Sequence, residues 1–152
     1  MDKKELLIIA SLRKDSRRSL TRMSRDIRLP ISTIHDKMQD YREGIIKKTT
    51  AILDFAKLGF KTRAYVLLKT EVRDKKPLLE YLLKSSSVNT LSKINNGYDF
   101  YAEMIFKEFV DAENFMEDLS LKYDVKKKEI FYSLEDFRRE DFLSTPSMVY
   151  IS

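Results

Sequence analysis

The sequence predicts an α+β chain, with an N-terminal winged helix-turn-helix followed by a ferredoxin-like βαββαβ domain. Three observations predict it. Leu20, Met23 and Ile27 fall at helical spacing, Ile34, Met38 and Tyr41 do so again, and only Arg28-Leu29-Pro30 separates the two runs. Two short amphipathic helices joined by so tight a turn cross steeply, share one small core and leave one face of the second helix free. Residues 1–50 carry thirteen Lys/Arg against seven Asp/Glu, a net +6, while the other 102 residues carry sixteen against seventeen. The positive excess therefore travels with the helix-turn-helix, as an electrostatic footprint for a polyanion. From about residue 60 the order of signals is strand, helix, strand, strand, helix, strand.

The first helix is expected over 2–14, with Leu6, Ile8, Ile9 and Leu12 as its buried stripe, and a polar turn over 14–18 follows. Ser19 is a good N-cap for the second helix. Arg22 then falls at the third helical position, where the helix dipole opposes a cation by a few tenths of a kcal/mol. A phosphate lying across that helix reverses the sign; an indifferent surface residue is the other reading. Pro30 suits the first turn of the third helix, where its missing N–H costs nothing. With Ile34 and Met38 inward, a helical wheel turns Ser32, Asp36 and Gln39 outward, with Thr33 and Asp40 beside them. Asp36 can accept from a cytosine amino group. His35, the only histidine, lies beside the buried stripe with no partner His, Cys or paired acid nearby, so packing or phosphate contact suits it better than catalysis. Gly44 ends the helix. Residues 45–53 read as a strand, a small wing or linking strand that carries Lys47 and Lys48 near the groove, and Gly59 closes the linker.

In the second half Ala64, Val66, Leu68, Thr70 and Val72 alternate as a strand. Residues 74–84 form a short helix with Pro77 in its first turn and Leu78, Leu79, Leu82 and Leu83 apolar. Strands over 88–94 and 98–106 flank Asn95-Asn96-Gly97, which is hairpin-turn chemistry. Ala112, Phe115, Met116, Leu119 and Tyr123 recur at helical spacing, and 125–134 is the last strand. Both helices cover one sheet face. Tyr65, Leu67, Tyr101, Ile105 and Phe131 point to the other, an apolar area that pairing of two copies would bury. Residues 137–152 have no clear period and read either as an arm across a neighbour or as disordered.

Composition sets further bounds. An apolar share of 43% suffices for a packed core, and no run reaches the ~18 apolar residues of a membrane span. The start, Met-Asp-Lys-Lys-Glu, has charges but no clean apolar run ending in a small-residue cleavage site, so no secretory signal is expected. The absence of Cys excludes disulfides, Cys-based zinc sites and thiol nucleophiles. A cytoplasmic protein with no metal, no cofactor and no catalytic residues is the expectation. The domains expected are 1–50 for the helix-turn-helix, 51–59 for a linker strand, 60–136 for the ferredoxin-like domain and 137–152 for a tail.

Five segments in order then carry a family pattern: L-R-K-D-S-R-R-S-L-T-R-M-S at 12–24, S-T-I-H-D-K-M at 32–38, E-G-I-I-K-K-T-T-A-I-L-D at 43–54, K-L-G at 57–59 and N-G-Y-D-F at 96–100. Over about residues 3–142 the chain resembles the Lrp/AsnC, or feast/famine, transcriptional regulators. The resemblance implies a ligand-sensing ferredoxin-like (RAM) domain and assembly as dimers, often octamers. It aligns Ser32 and Thr33 with the start of the recognition helix, Lys37 with a usual Arg, and Gly97 and Asp99 with the Gly-x-Asp of an effector loop. Arg28 replaces a usual Gly, Pro30 a usual Ser and Asn96 a usual Thr. The reading that follows is a sequence-specific DNA-binding regulator, modulated by an amino acid or related small molecule and not an enzyme. Its DNA contacts are Arg22, Arg25, Arg28, Ser32, Thr33, Asp36, Lys37, Lys47 and Lys48; its ligand contacts are Asn96, Gly97 and Asp99. A ligand-independent architectural DNA binder fits the same DNA residues. A plain hairpin turn fits Asn95-Asn96-Gly97. A sirohaem-decarboxylase-like enzyme would need histidine in the RAM half, where this chain has none.

Overall fold

Two separate hydrophobic clusters organise the chain. In the computed structural model, which describes residues 1–150, they belong to two units. Unit 1 comprises Met1–Ile52 with the segment from Phe137 onward; unit 2 is Leu53–Asp136. Positions 151 and 152 of the expected tail lie outside the described residues.

Unit 1 begins with α1 (Lys3–Lys14), opened by a capping box in which Asp2 and Glu5 each accept the other's backbone N–H. Ser19 caps α2 (Leu20–Ile27), and Pro30 stands at the N-cap of α3 (Ile31–Glu43), just outside the first turn expected of it. Ile8, Met23, Ile34 and Tyr41 form the buried centre, flanked by Ile9, Leu12, Leu20, Ile27, Leu29, Met38 and Ile46. Burying Met23 or Ile34 stabilises the unit by about 1.5–3 kcal/mol each. So small a core has few such contributions, and each matters.

The strand expected over 45–53 is not formed. The N–H groups of Ile45 and Ile46 both turn back to the Tyr41 carbonyl, at 2.9 and 2.7 Å, closing α3. Beyond them the segment is irregular and exposed. Its β-prone composition lacks a neighbouring strand in the chain to complete a ladder.

The C-terminal segment is ordered against α1. Helix α6 (Pro146–Val149) buries Val149, and Ser144 is buried before it. The Arg13 guanidinium donates to the Glu140 carboxylate at 3.1 and 3.2 Å, to the Glu140 carbonyl at 2.8 Å and to the Phe142 carbonyl at 3.1 Å.

Unit 2 has the expected βαββαβ order: β1 (Thr62–Thr70), α4 (Lys75–Lys84), β2 (Val88–Lys93), β3 (Phe100–Phe106), α5 (Phe109–Lys122) and β4 (Val125–Tyr132). The sheet runs β2-β3-β1-β4, with antiparallel neighbours throughout. Ala64, Val66 and Leu68 of β1 and Phe100, Ala102, Met104 and Phe106 of β3 pack under Leu78, Leu82, Ala112, Met116 and Leu119 of the helices. Val72, assigned by alternation to the first strand, is instead 78% exposed in a 3-10 turn over Val72–Asp74. The strand stops at Thr70, whose hydroxyl donates to the Asp124 carbonyl at 2.8 Å.

The second sheet face is less purely apolar than its sequence suggested. Tyr65, Leu67, Tyr101 and Ile105 are half-buried and Phe131 is 53% exposed, with Tyr65 stacked on Tyr101. Among them lies a charged cluster. Arg63 faces Glu103 at 3.7 Å, pairs with Asp136 and donates to the Ser133 hydroxyl at 3.2 Å. Asn89 and Thr90 donate to Glu103 at 2.7 and 2.9 Å. The neighbouring carboxylate of Asp136 holds the Arg63 guanidinium above its ordinary pKa, against the effect of burial.

Candidate nucleic-acid interface

The geometry of unit 1 is set by the turn between α2 and α3. Arg28 takes the left-handed conformation (φ 59°, ψ 50°) and donates its N–H to the Ser24 carbonyl. Leu29 also donates to Ser24 O, at 3.3 Å, while the Ser24 hydroxyl donates to Leu29 O at 2.6 Å. Pro30 then disfavours helix at Leu29 and lets α3 begin afresh.

Around this turn Arg22, Arg25 and Arg28 are exposed and make no ion pair among the described residues; the same holds for Lys47 and Lys48 beyond α3. Ser32, Thr33, Asp36, Gln39 and Asp40 are exposed on α3. His35 is exposed too, its Nδ1 lying 3.3 Å from Asp36 Oδ1.

Lys37 stands apart from this set. Its ammonium donates to Glu5 Oε1 at 2.5 Å, while Oε2 of the same carboxylate accepts the Asp2 N–H that caps α1. The bond to Lys37, then the Asp2 N–H, holds the Glu5 carboxyl below its ordinary pKa, and the bond to Glu5 raises that of Lys37. Lys37 thus ties α3 to α1. The capping signature Asp2-x-x-Glu5 was visible in the sequence, but not the reach of Glu5 across to α3. Arg17, read as part of a polar turn, is a further exposed cation just ahead of the Ser19 cap.

In unit 2 the hairpin forms as its composition predicts. Asn96 (φ 60°) and Gly97 (φ 86°) both take positive φ, and Tyr98 N–H points back to Asn95 O at 3.5 Å. Both turn residues are exposed, and the space beside Gly97 is open. Asp99 is engaged within the chain: it accepts from Thr70 N–H at 3.0 Å and pairs with the Lys75 ammonium at 2.6 Å. Burial pushes its pKa up, but the bonds from Lys75 and Thr70 together outweigh burial and hold it below the ordinary value. A ligand ammonium at Asp99 would have to displace Lys75. A separate depression of about 170 Å³ lies at the start of β2, lined by Phe55, Phe60, Ser86, Ser87, Val88, Asn89 and Ile105, and contains none of the hairpin residues.

No family model matches the chain. The HTH-type transcriptional regulator FL11 of Pyrococcus furiosus is 30% identical over 118 residues, 77% of this chain and 76% of FL11. Among solved structures, LrpC of B. subtilis has a TM-score of 0.82 at 22% identity, covering 91% of this chain and 97% of that one. This chain belongs to the Lrp/AsnC family. A Neisseria meningitidis transcriptional regulator solved as an L-Met complex shares the fold at a TM-score of 0.82 and 16% identity, covering 91% of this chain and 93% of its own. As an Lrp/AsnC protein the chain is a helix-turn-helix transcriptional regulator, and unit 2 has the family's RAM fold. No helix among its described residues is long and apolar enough to cross a membrane.

Proposed function

We infer that this Lrp/AsnC regulator binds duplex DNA through α2, the Arg28–Pro30 turn and α3. The observation that carries the reading is the cluster of exposed, unpaired cations beside a recognition helix whose outward side chains are short and polar. Arg22, Arg25, Lys47 and Lys48 contact phosphates and set affinity, while Ser32, Thr33 and Asp36 meet base edges and set sequence choice. Pairing of two copies through the Tyr65–Tyr101 face places two recognition helices for half-sites one or more helical turns apart, at about 34–36 Å per turn. Light scattering tests the pairing: a monomer at micromolar concentration rejects it.

An anisotropy titration of the full chain against labelled duplex DNA tests the interface. The expected result is binding that weakens linearly with log salt. Replacing Ser32 or Thr33 should change which sequence is preferred, at about 1–3 kcal/mol for each good base-edge interaction removed. Binding without salt dependence, or none at all, rejects the reading.

A small-molecule effector at Asn96 and Gly97 is the second part of the proposal. The L-Met complex of the Neisseria regulator favours it, as does the open space at Gly97, where backbone can approach a ligand closely. Such a ligand shifts assembly only by binding one state better than another. Calorimetry with the twenty amino acids tests it, and no heat from any of them leaves the hairpin a plain turn.

A further inference from the structure

Among the described residues, four other than glycine hold a positive φ: Arg28, Asn96, Glu140 and Leu143. An L side chain is strained in that region, and such strain persists only where surrounding interactions compensate it. For three of the four the side chain takes part in the compensation. Asn is the non-glycine residue that tolerates the conformation best, and Asn96 occupies the hairpin turn that requires it. Glu140 places both its carboxylate and its carbonyl on the Arg13 guanidinium. Leu143 is half-buried.

At Arg28 the compensation is the turn's own hydrogen bonds at Ser24 and Leu29, and the side chain takes no part in it. Its N–H caps α2 by bonding to Ser24 O, a bond any residue there would make. Its side chain is exposed and forms no ion pair among the described residues. Nothing in the folded chain favours arginine over glycine or asparagine at this place, so the reason for arginine lies outside the chain. The side chain is a guanidinium, with Arg25 three positions earlier and the exposed Ser32 and Thr33 four and five positions later. A planar, permanently charged fork suits a phosphate oxygen pair.

We propose that Arg28 is a dedicated phosphate contact of the DNA backbone, and that the strained turn is retained because it aims that guanidinium between α2 and α3. The proposal rests on the reading that unit 1 binds DNA. Its distinctive consequence is an opposition: the free protein gains stability from the same replacement that weakens its hold on DNA.

The test compares full-length wild type with Arg28→Gly, Arg28→Asn and Arg28→Lys. In thermal melts without DNA, Gly and Asn should raise the transition by about 4–8 °C, while Lys, strained as arginine is, should leave it in place. In anisotropy titrations with a labelled mixed-sequence duplex, Gly and Asn should weaken binding about tenfold. Their log K against log salt slope should shrink by about 1, and Lys should keep most of the slope. The loss should be alike on A·T-rich and G·C-rich duplexes. If wild type does not bind, the interface reading fails. If wild type binds and Arg28→Gly and Arg28→Asn bind as tightly with the same slope, the proposal alone is overturned. Losses confined to one duplex overturn the phosphate assignment, and variants no more stable than wild type overturn the role of strain.

Discussion

In unit 2, Lys61 lies against Glu108, Arg63 against Glu103 and Asp136, Lys75 against Asp99, and Lys126 against Glu71 and Asp124. In unit 1, Arg13, Arg18 and Lys37 are paired, but Arg22, Arg25, Arg28, Lys47 and Lys48 meet no carboxylate among the described residues. The cores differ in the same sense. Unit 2 buries side chains from both helices and the central strands, whereas four residues make the centre of unit 1. One unit neutralises itself and is held by its own packing; the other keeps a thin core and an unneutralised surface. Exposed cations are solvated and cost the fold little, but a surface that leaves them unpaired is one a polyanion can complete, so the contrast points to where the molecule meets its partner.

The largest expected effect strikes the thin core. Ile34→Ala should cost about 2–5 kcal/mol, enough to abolish DNA binding while the sheet signal of unit 2 persists in circular dichroism. Simultaneous loss of both signals would break the contrast by showing one cooperative unit.

Next comes the charged cluster on the open sheet face. Arg63→Met removes the cation that faces both Glu103 and Asp136, leaving Glu103 buried with only Asn89 and Thr90 as donors. A loss of roughly 3 kcal/mol is expected in the urea unfolding of unit 2. An unchanged midpoint would show that the cluster is not needed for the fold.

Replacing Arg22 and Arg25 together by Ala should leave stability within about 0.5 kcal/mol yet reduce the salt slope of DNA binding by about 2. A stability change without a slope change would make these arginines structural, and unit 1 would then resemble unit 2 in spending its charges on its own fold.

The smallest effect is acid sensitivity at Asp99. Its carboxyl titrates below the ordinary value, so its contribution is complete above the usual aspartate pKa of about 3.9 and is lost as pH falls through the lowered one. The melting temperature of unit 2 should therefore fall less steeply below about pH 4 in Asp99→Asn than in wild type. Lys75→Met should flatten the same limb. Identical profiles would show that the Lys75 bond is not maintained in solution.

Period and turn chemistry made much of this legible. Leu20, Met23 and Ile27, then Ile34, Met38 and Tyr41, located α2 and α3, and alternation over 64–70 located β1 because its inner face is fully buried. What escaped depends on residues distant in sequence. The segment 45–53 has strand composition, but pairing needs a second strand that the segment cannot supply. The bond from Lys37 to Glu5 was not legible, because nothing local announces Glu5 beside it. Nothing local marks Glu103 as buried; the register Thr90↔Glu103 and the Asn89 bond enclose it. The bond from Lys75 to Asp99 was not legible, because Lys75 lies on α4, before the second strand. The C-terminal segment has no apolar period to read, since one buried Val149 and a set of bonds to Arg13 hold it.

That last attachment also orders events in time. Arg13 and Glu140 are 127 positions apart. At a synthesis rate of about 5–20 residues per second, α1 leaves the ribosome on the order of ten seconds before the segment that binds it exists. The whole of unit 2 is made in the interval, from one uninterrupted stretch of chain. Maturation therefore runs against the order of the sequence, with the sheet unit able to fold first and the helix-turn-helix reaching its final form last. A nascent chain gains its complete DNA-binding unit only after the unit that accompanies it is already built.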